Sequence, residues 1–251
     1  MENIKNKTCA NHFPSFRRGR VALLLLFFSL SFGKGWGWVS SSFAQSTNDA
    51  GLWTTFNIQK ELKKNVSVFL TEECRLKENF SRLNLFYTDL GVAVRPFKFL
   101  KISLAYRMID KFLIDNTFSY RHRLMLDITL RKKMGSFALS YRQRLQSEVR
   151  NVYSSARGTI PEWYSRNKFE LKYDLDKPVR PYIAAEFRYQ INDPRNVESE
   201  GLWHRNRYII GLDYKKNDRN TFGVYYLIQN EFNVSAPENI YIVGLEYTIT
   251  L

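Results

Sequence analysis

Apolar and polar side chains alternate with period two along most of this chain, most clearly at its end. From Ile240 to Leu251 one parity carries Tyr241, Val243, Leu245, Tyr247, Ile249 and Leu251. The other carries Ile242, Gly244, Glu246, Thr248 and Thr250. Successive side chains of a strand point to opposite faces, so this pattern predicts a two-faced strand. Ten upstream segments read the same way. The eleven strands fall at roughly 51–62, 66–77, 82–95, 99–109, 119–132, 136–147, 164–175, 180–191, 204–215, 221–232 and 240–251. The fifth sets Tyr120, Leu124, Leu126, Ile128 and Leu130 against Arg121, Arg123, Met125, Asp127, Thr129 and Arg131. The eighth sets Ile183, Ala185, Phe187, Tyr189 and Ile191 against Ala184, Glu186, Arg188 and Gln190.

Such alternation suits a soluble sandwich and a membrane barrel equally, because only the medium outside differs. Three other features favour the barrel. Connections alternate between short turns, as at Lys63-Lys64-Asn65 and Asp176-Lys177-Pro178, and longer loops after strands four, six, eight and ten. Aromatics gather at strand ends: Trp53, Tyr87, Tyr106, Tyr120, Trp163, Tyr164, Tyr189, Trp203 and Tyr208. They suggest the interfacial girdles of such barrels. Charged residues also recur deep within strands, as in Glu170-Leu171-Lys172. The expected fold is all-β: a closed antiparallel up-and-down transmembrane barrel of 10–12 strands. Bacterial barrels have even strand counts, so eleven segments imply one false strand or one missed. The second is the weakest. Its apolar parity (Val66, Val68, Leu70) runs into Glu72, and Phe69 falls on the other face.

The N-terminus changes the picture. Arg17, Arg18 and Arg20 precede an apolar core, Val21 to Phe32, that is too short to span a bilayer. Ser42-Phe43-Ala44 offers a cleavage site. Residues 1–44 are therefore expected to be a cleaved secretory signal peptide, and 45–251 an outer-membrane barrel domain of a Gram-negative envelope. Removal takes six of 38 Lys+Arg and one of 24 Asp+Glu, leaving +9 on 207 residues. The bases alternate with apolar residues and form no run, which argues against nucleic acid as a partner. Expected partners are outer-membrane lipid and, during biogenesis, the export and barrel-assembly machinery.

A basic motif recurs where strands five, seven and nine open: Tyr120-Arg121-His122-Arg123, Ser165-Arg166-Asn167-Lys168 and His204-Arg205-Asn206-Arg207. In each, both basic residues share the lumen-facing parity. With Arg142 and Arg144 of strand six, the belt comprises Arg121, Arg123, Arg142, Arg144, Arg166, Lys168, Arg205 and Arg207. Glu148, Glu170, Glu186, Glu231 and Glu246 are expected as its acidic partners. Buried charges need counter-charges, so one reading is a salt-bridged, braced lumen. The other is an anion-attracting constriction, because rings of Arg and Lys select anions.

Trp53, Tyr87-Thr88-Asp89-Leu90-Gly91, the Tyr120-Arg121-His122-Arg123 motif and Arg166-Asn167-Lys168 carry a resemblance. So do Arg205-Asn206-Arg207-Tyr208, Gly211-Leu212-Asp213-Tyr214 and Gly244-Leu245-Glu246-Tyr247. Together they resemble an uncharacterised family of outer-membrane barrels, a domain of unknown function known mainly from one Gram-negative phylum. The resemblance covers residues 50–251. It implies the fold and the compartment, and no activity.

Catalytic signals are weak. Past the signal segment only His122 and His204 remain, with no serine in a matching His-x-Ser arrangement. Two histidines and Cys74 lack metal-ligand spacing. No catalytic residue, metal or cofactor is expected, and the expected role is non-enzymatic: structural or passive transport. The alternatives are a lipid-active hydrolase or deacylase on the same barrel, and an exported ligand-binding β-sandwich.

Overall fold

The computed structural model describes residues 47–113, 117–150, 160–194, 200–234 and 236–251. The expected signal segment and its cleavage site after Ala44 lie outside them. Eleven strands occur among the described residues: β1 (Thr47–Lys63), β2 (Val66–Lys77), β3 (Arg82–Phe97), β4 (Leu100–Phe112), β5 (Phe118–Met134), β6 (Phe137–Arg150), β7 (Glu162–Tyr173), β8 (Val179–Asn192), β9 (Leu202–Lys215), β10 (Asn220–Glu231) and β11 (Glu238–Thr250). Each pairs with its sequence neighbours, and the sheet closes on itself. Closure matters because an open edge leaves unpaired backbone groups.

The even strand count expected from the sequence is not met. Among the described residues each of the eleven expected segments is a strand, the second included. β2 pairs with β1 and β3 over nearly its full length. The odd number is resolved at the seam, where β1 and β11 pair in parallel from Thr47 opposite Glu238 to Gln59 opposite Thr250. Every other pair is antiparallel. β1 therefore starts at the mouth that bears the longer loops, and β11 ends at the other.

The two features that made β2 look doubtful each have a local solution. Glu72 does point outward, and the Thr88 hydroxyl donates to its carboxylate at 2.9 Å. Phe69 points inward and lies opposite Gly91. The β2–β3 turn is tight, with left-handed φ at Glu78, Asn79 and Phe80. The Asp49 carboxylate accepts the backbone N–H groups of Glu78 and Asn79 at 2.9 and 3.1 Å, which supports that conformation.

Parity sorts the side chains into two walls. The outward wall is apolar and open to its surroundings: Leu126 is 40% exposed, Leu104 53% and Ile210 61%. Such a continuous apolar surface exceeds what a soluble monomer ordinarily shows. The inward wall holds the charges together with Met125 and Ile242, both fully buried. Glycine serves close approach at three inward positions, Gly91 beneath Phe69 being the first. Tyr225 lies flat across Gly244 on β11, and Tyr182 across Gly211 on β9, where a Cβ would overlap the ring. Each is an aromatic laid over a glycine on the neighbouring strand, a known means of bending a sheet without opening a void.

Candidate functional site: the charged lumen

The lumen is organised in rows, since residues directly opposite across strands share one level of the ladder. One row reads Asp127, Arg144, Arg166, Arg188, Arg205 and Glu231 across β5 to β10. The row beside it reads Thr129, Arg142, Lys168, Glu186, Arg207 and Gln229. Two of the three repeated motifs thus coincide in register: Arg166 with Arg205, and Lys168 with Arg207. Arg121 and Arg123 belong to other rows, because β5 meets these two at Asp127 and Thr129. Equal position after a loop does not ensure equal register, since the strand lengths differ.

Every cation of the expected belt meets a carboxylate. Glu148, 3% exposed, accepts from Arg121 Nη1 at 3.1 Å and Arg123 Nε at 2.9 Å. Asp127 accepts the two-pronged pair from Arg144, at 2.6 and 2.7 Å. Glu186, 5% exposed, is shared by Arg142 at 2.7 Å, Arg166 Nε at 3.2 Å and Arg207 Nη1 at 3.2 Å. Lys168 reaches Glu170 at 2.8 Å, and Arg205 bonds Glu231. Charge-assisted pairs of this kind are the strongest hydrogen bonds available to a lumen.

Glu246 departs from the expectation. It bonds no cation; its carboxylate accepts from Asn57 Nδ2 at 2.7 Å. It faces the lumen, as its parity implies, but stands opposite Gly223 near the far end of β10, below the level of the belt. The partners the sequence did not single out are Asp127 and Glu162, the latter accepting from Arg150 Nη2 at 3.0 Å. Arg188 was also passed over. Register reveals it, as the lumen residue between Arg166 and Arg205.

The opposite side of the lumen uses rings. Arg75 lies 3.6 Å from the Trp53 ring centroid and bonds Glu73, which also accepts the Tyr87 hydroxyl at 2.6 Å. Arg107 lies 3.5 Å from the Tyr87 centroid and grips Asp89 at 2.5 and 2.6 Å. Stacked guanidiniums gain cation–π attraction where water is excluded. Trp53 also packs with Leu227 and Ile242 in a small apolar cluster. Trp53, Tyr87 and Tyr164 are therefore lumen residues, 7%, 5% and 4% exposed, and not part of an interfacial girdle. Their parity matches that of the lumen charges. Tyr106, Tyr120, Trp163, Trp203 and Tyr208 do face outward and are exposed, from 37% at Trp163 to 54% at Tyr120.

His122 stands on the outward wall, where its Nδ1 and the Tyr106 hydroxyl are 2.6 Å apart. His204 is buried at the start of β9. Cys74 is a free, outward thiol. Among the described residues no group of three His, Cys, Asp or Glu side chains could hold a metal ion.

Residues 50–239 match the family described as "Protein of unknown function (DUF2490)". The chain belongs to this family. No curated protein matches it. Among solved structures it is similar to LpxR from Salmonella typhimurium, at 9% identity and a TM-score of 0.44, over 74% of this chain and 84% of that one. That likeness concerns the barrel fold and assigns this chain no reaction. It does remove one expectation. LpxR is an outer-membrane lipid A deacylase, so a barrel architecture is no ground for expecting the absence of enzymatic activity, and that expectation is withdrawn.

Proposed function

We propose that this DUF2490 barrel is an integral outer-membrane protein whose interior is braced shut by ion pairs. In this reading it is a rigid wall element of the envelope and not an open channel. The observation that carries the reading is the complete pairing of the eight belt cations. The pairs run along the wall, within a strand or between strands one or two apart, and the burial of Glu148, Glu186 and Arg207 supports an interior with little open space for a conducting path. Breaking one partner of a buried pair costs about 3–5 kcal/mol, so such a lumen resists opening. The apolar outward wall supports membrane placement, because a bilayer satisfies it and water does not. The basic, short-cored N-terminal segment supports export, and outer-membrane lipid and the assembly machinery follow as partners.

The test is conductance. Mature protein reconstituted in a planar bilayer is expected to show no steady open-channel current. The double variant Arg123→Gln/Arg207→Gln is expected to lose stability and to leave the conductance of the wild type unchanged. Altered ion selectivity with stability intact would instead establish a functional constriction.

A further inference from the structure

Four arginines stand in file between two carboxylates in the row Asp127, Arg144, Arg166, Arg188, Arg205 and Glu231. Like charges directly opposite one another on neighbouring strands are destabilising. Three of the four have a local escape. Asp127 takes Arg144, Glu231 takes Arg205, and Arg166 leans into the next row to reach Glu186. Arg188 has no such partner among the described residues. Its Nε is shut off from solvent with no hydrogen-bond acceptor. Its guanidinium carbon lies 4.6 Å from the centroid of the Tyr164 ring. The neighbouring row cannot help, because Glu186 already serves three guanidiniums.

We infer that Arg188 is the centre of an oxyanion site within the lumen, and that its ligand is phosphate or a small soluble phosphomonoester. The chemistry follows from the arrangement. A guanidinium presents a planar fork of N–H donors that matches two oxygens of a tetrahedral oxyanion. Stacking on Tyr164 engages the face of Arg188 and leaves its N–H edge to donate; the Nε–H, sealed from water in the empty site, gains its acceptor when the side chain shifts to admit the anion. Arg205 on one side and Arg166 on the other add positive potential. A dianion there supplies the negative charge that the row lacks. The closed wall separates this position from lipid headgroups, so the anion enters from solution through a mouth of the barrel. This inference is independent of the bracing proposed above; an occluded barrel and a conducting one could both hold the anion.

The test uses the purified full-length mature barrel in a zwitterionic detergent, with inorganic phosphate as the probe at constant ionic strength. Calorimetric titration is expected to show one phosphate per barrel, and phosphate is expected to raise the unfolding midpoint relative to chloride. Arg188→Gln should weaken phosphate binding by about tenfold or more and abolish the shift in midpoint. Arg188→Lys, which keeps the charge and loses the fork, should fall between the two. Vesicles of phosphatidylglycerol should not compete. Failure of the wild type to bind phosphate would overturn the proposal without recourse to any variant. Unchanged affinity in Arg188→Gln would do the same. Competition by the anionic vesicles would place the site on the outer wall and overturn it as well. None of these readouts depends on conductance, so failure here leaves the bracing reading untouched.

Discussion

The two sides of the lumen handle charge in different ways. On the seam side, β1 to β4, the two buried guanidiniums each have their own carboxylate and lie over a ring: Arg75 with Glu73 and Trp53, Arg107 with Asp89 and Tyr87. On the belt side, β5 to β10, arginines outnumber carboxylates, Glu186 is divided among three of them, and Arg188 is left over. A self-sufficient pair is a device for stability. A shared carboxylate with a surplus cation beside it is less stable by itself and more responsive to a ligand. The seam side therefore reads as the part that holds the barrel closed, and the belt side as the part that can respond to its contents.

The sharpest way to break this contrast is Glu186→Gln. It strands three buried guanidiniums at once and should cost about 3–5 kcal/mol or prevent folding altogether. Urea unfolding in lipid vesicles measures it. A loss no larger than that of Glu246→Gln would deny Glu186 its central place. Next comes the outward wall. Leu126→Arg puts a charge on the apolar face and should cost about 2–4 kcal/mol if that face meets the bilayer midplane, seen as reduced folding yield in the same vesicles. The parity of β5 suggests Met125→Arg as a mild counterpart, but Met125 is 1% exposed. An arginine there has neither room nor a counter-charge, so Ser140→Arg, on the inward face of β6 and only partly buried with Glu170 directly opposite, is the better control. Tyr87→Phe probes the seam side. It removes the hydroxyl that donates to Glu73 at 2.6 Å and should cost about 1.5–3 kcal/mol, the range for a hydrogen bond to a charged group. The smallest effect is expected from Arg188→Gln in phosphate-free buffer. Removing the surplus charge relieves repulsion and should leave stability within about 0.5 kcal/mol of wild type or slightly above it. If Arg188→Gln proves as damaging as Tyr87→Phe, the two sides are not different in kind.

Most of the barrel was legible in the sequence because period two is a local property. The eleven segments, their parities and the inward direction of Arg121 to Arg207 all follow from counting residues along one strand. What needed coordinates was relational. The row that sets Arg188 between Arg166 and Arg205 depends on register across three strands, which turn length and a bulge between Arg188 and Tyr189 decide together. Glu246 shares the lumen parity of Glu231 on the neighbouring strand but stands opposite Gly223, near the other end of β10, a difference of height that no single strand contains. Trp53, Tyr87 and Tyr164 were legible and still misplaced. Their parity pointed inward, while the general habit of aromatics at interfaces pointed outward. The parity was the better guide because it follows from backbone geometry, whereas the girdle is a tendency of composition. The strand count was misjudged for the opposite reason: the sequence showed eleven, and a rule about even numbers argued against the observation.

The parallel seam has a topological consequence of a practical kind. An even-stranded barrel returns its chain to the side it left, like a closed hairpin. Here β1 begins at one rim and β11 finishes at the other, so the two ends of the barrel strand path lie at opposite mouths. A peptide spliced just ahead of Thr47 and another spliced after Leu251 would be displayed on opposite sides of whatever sheet of lipid the barrel sits in. A protease added to one side alone would then remove one and spare the other.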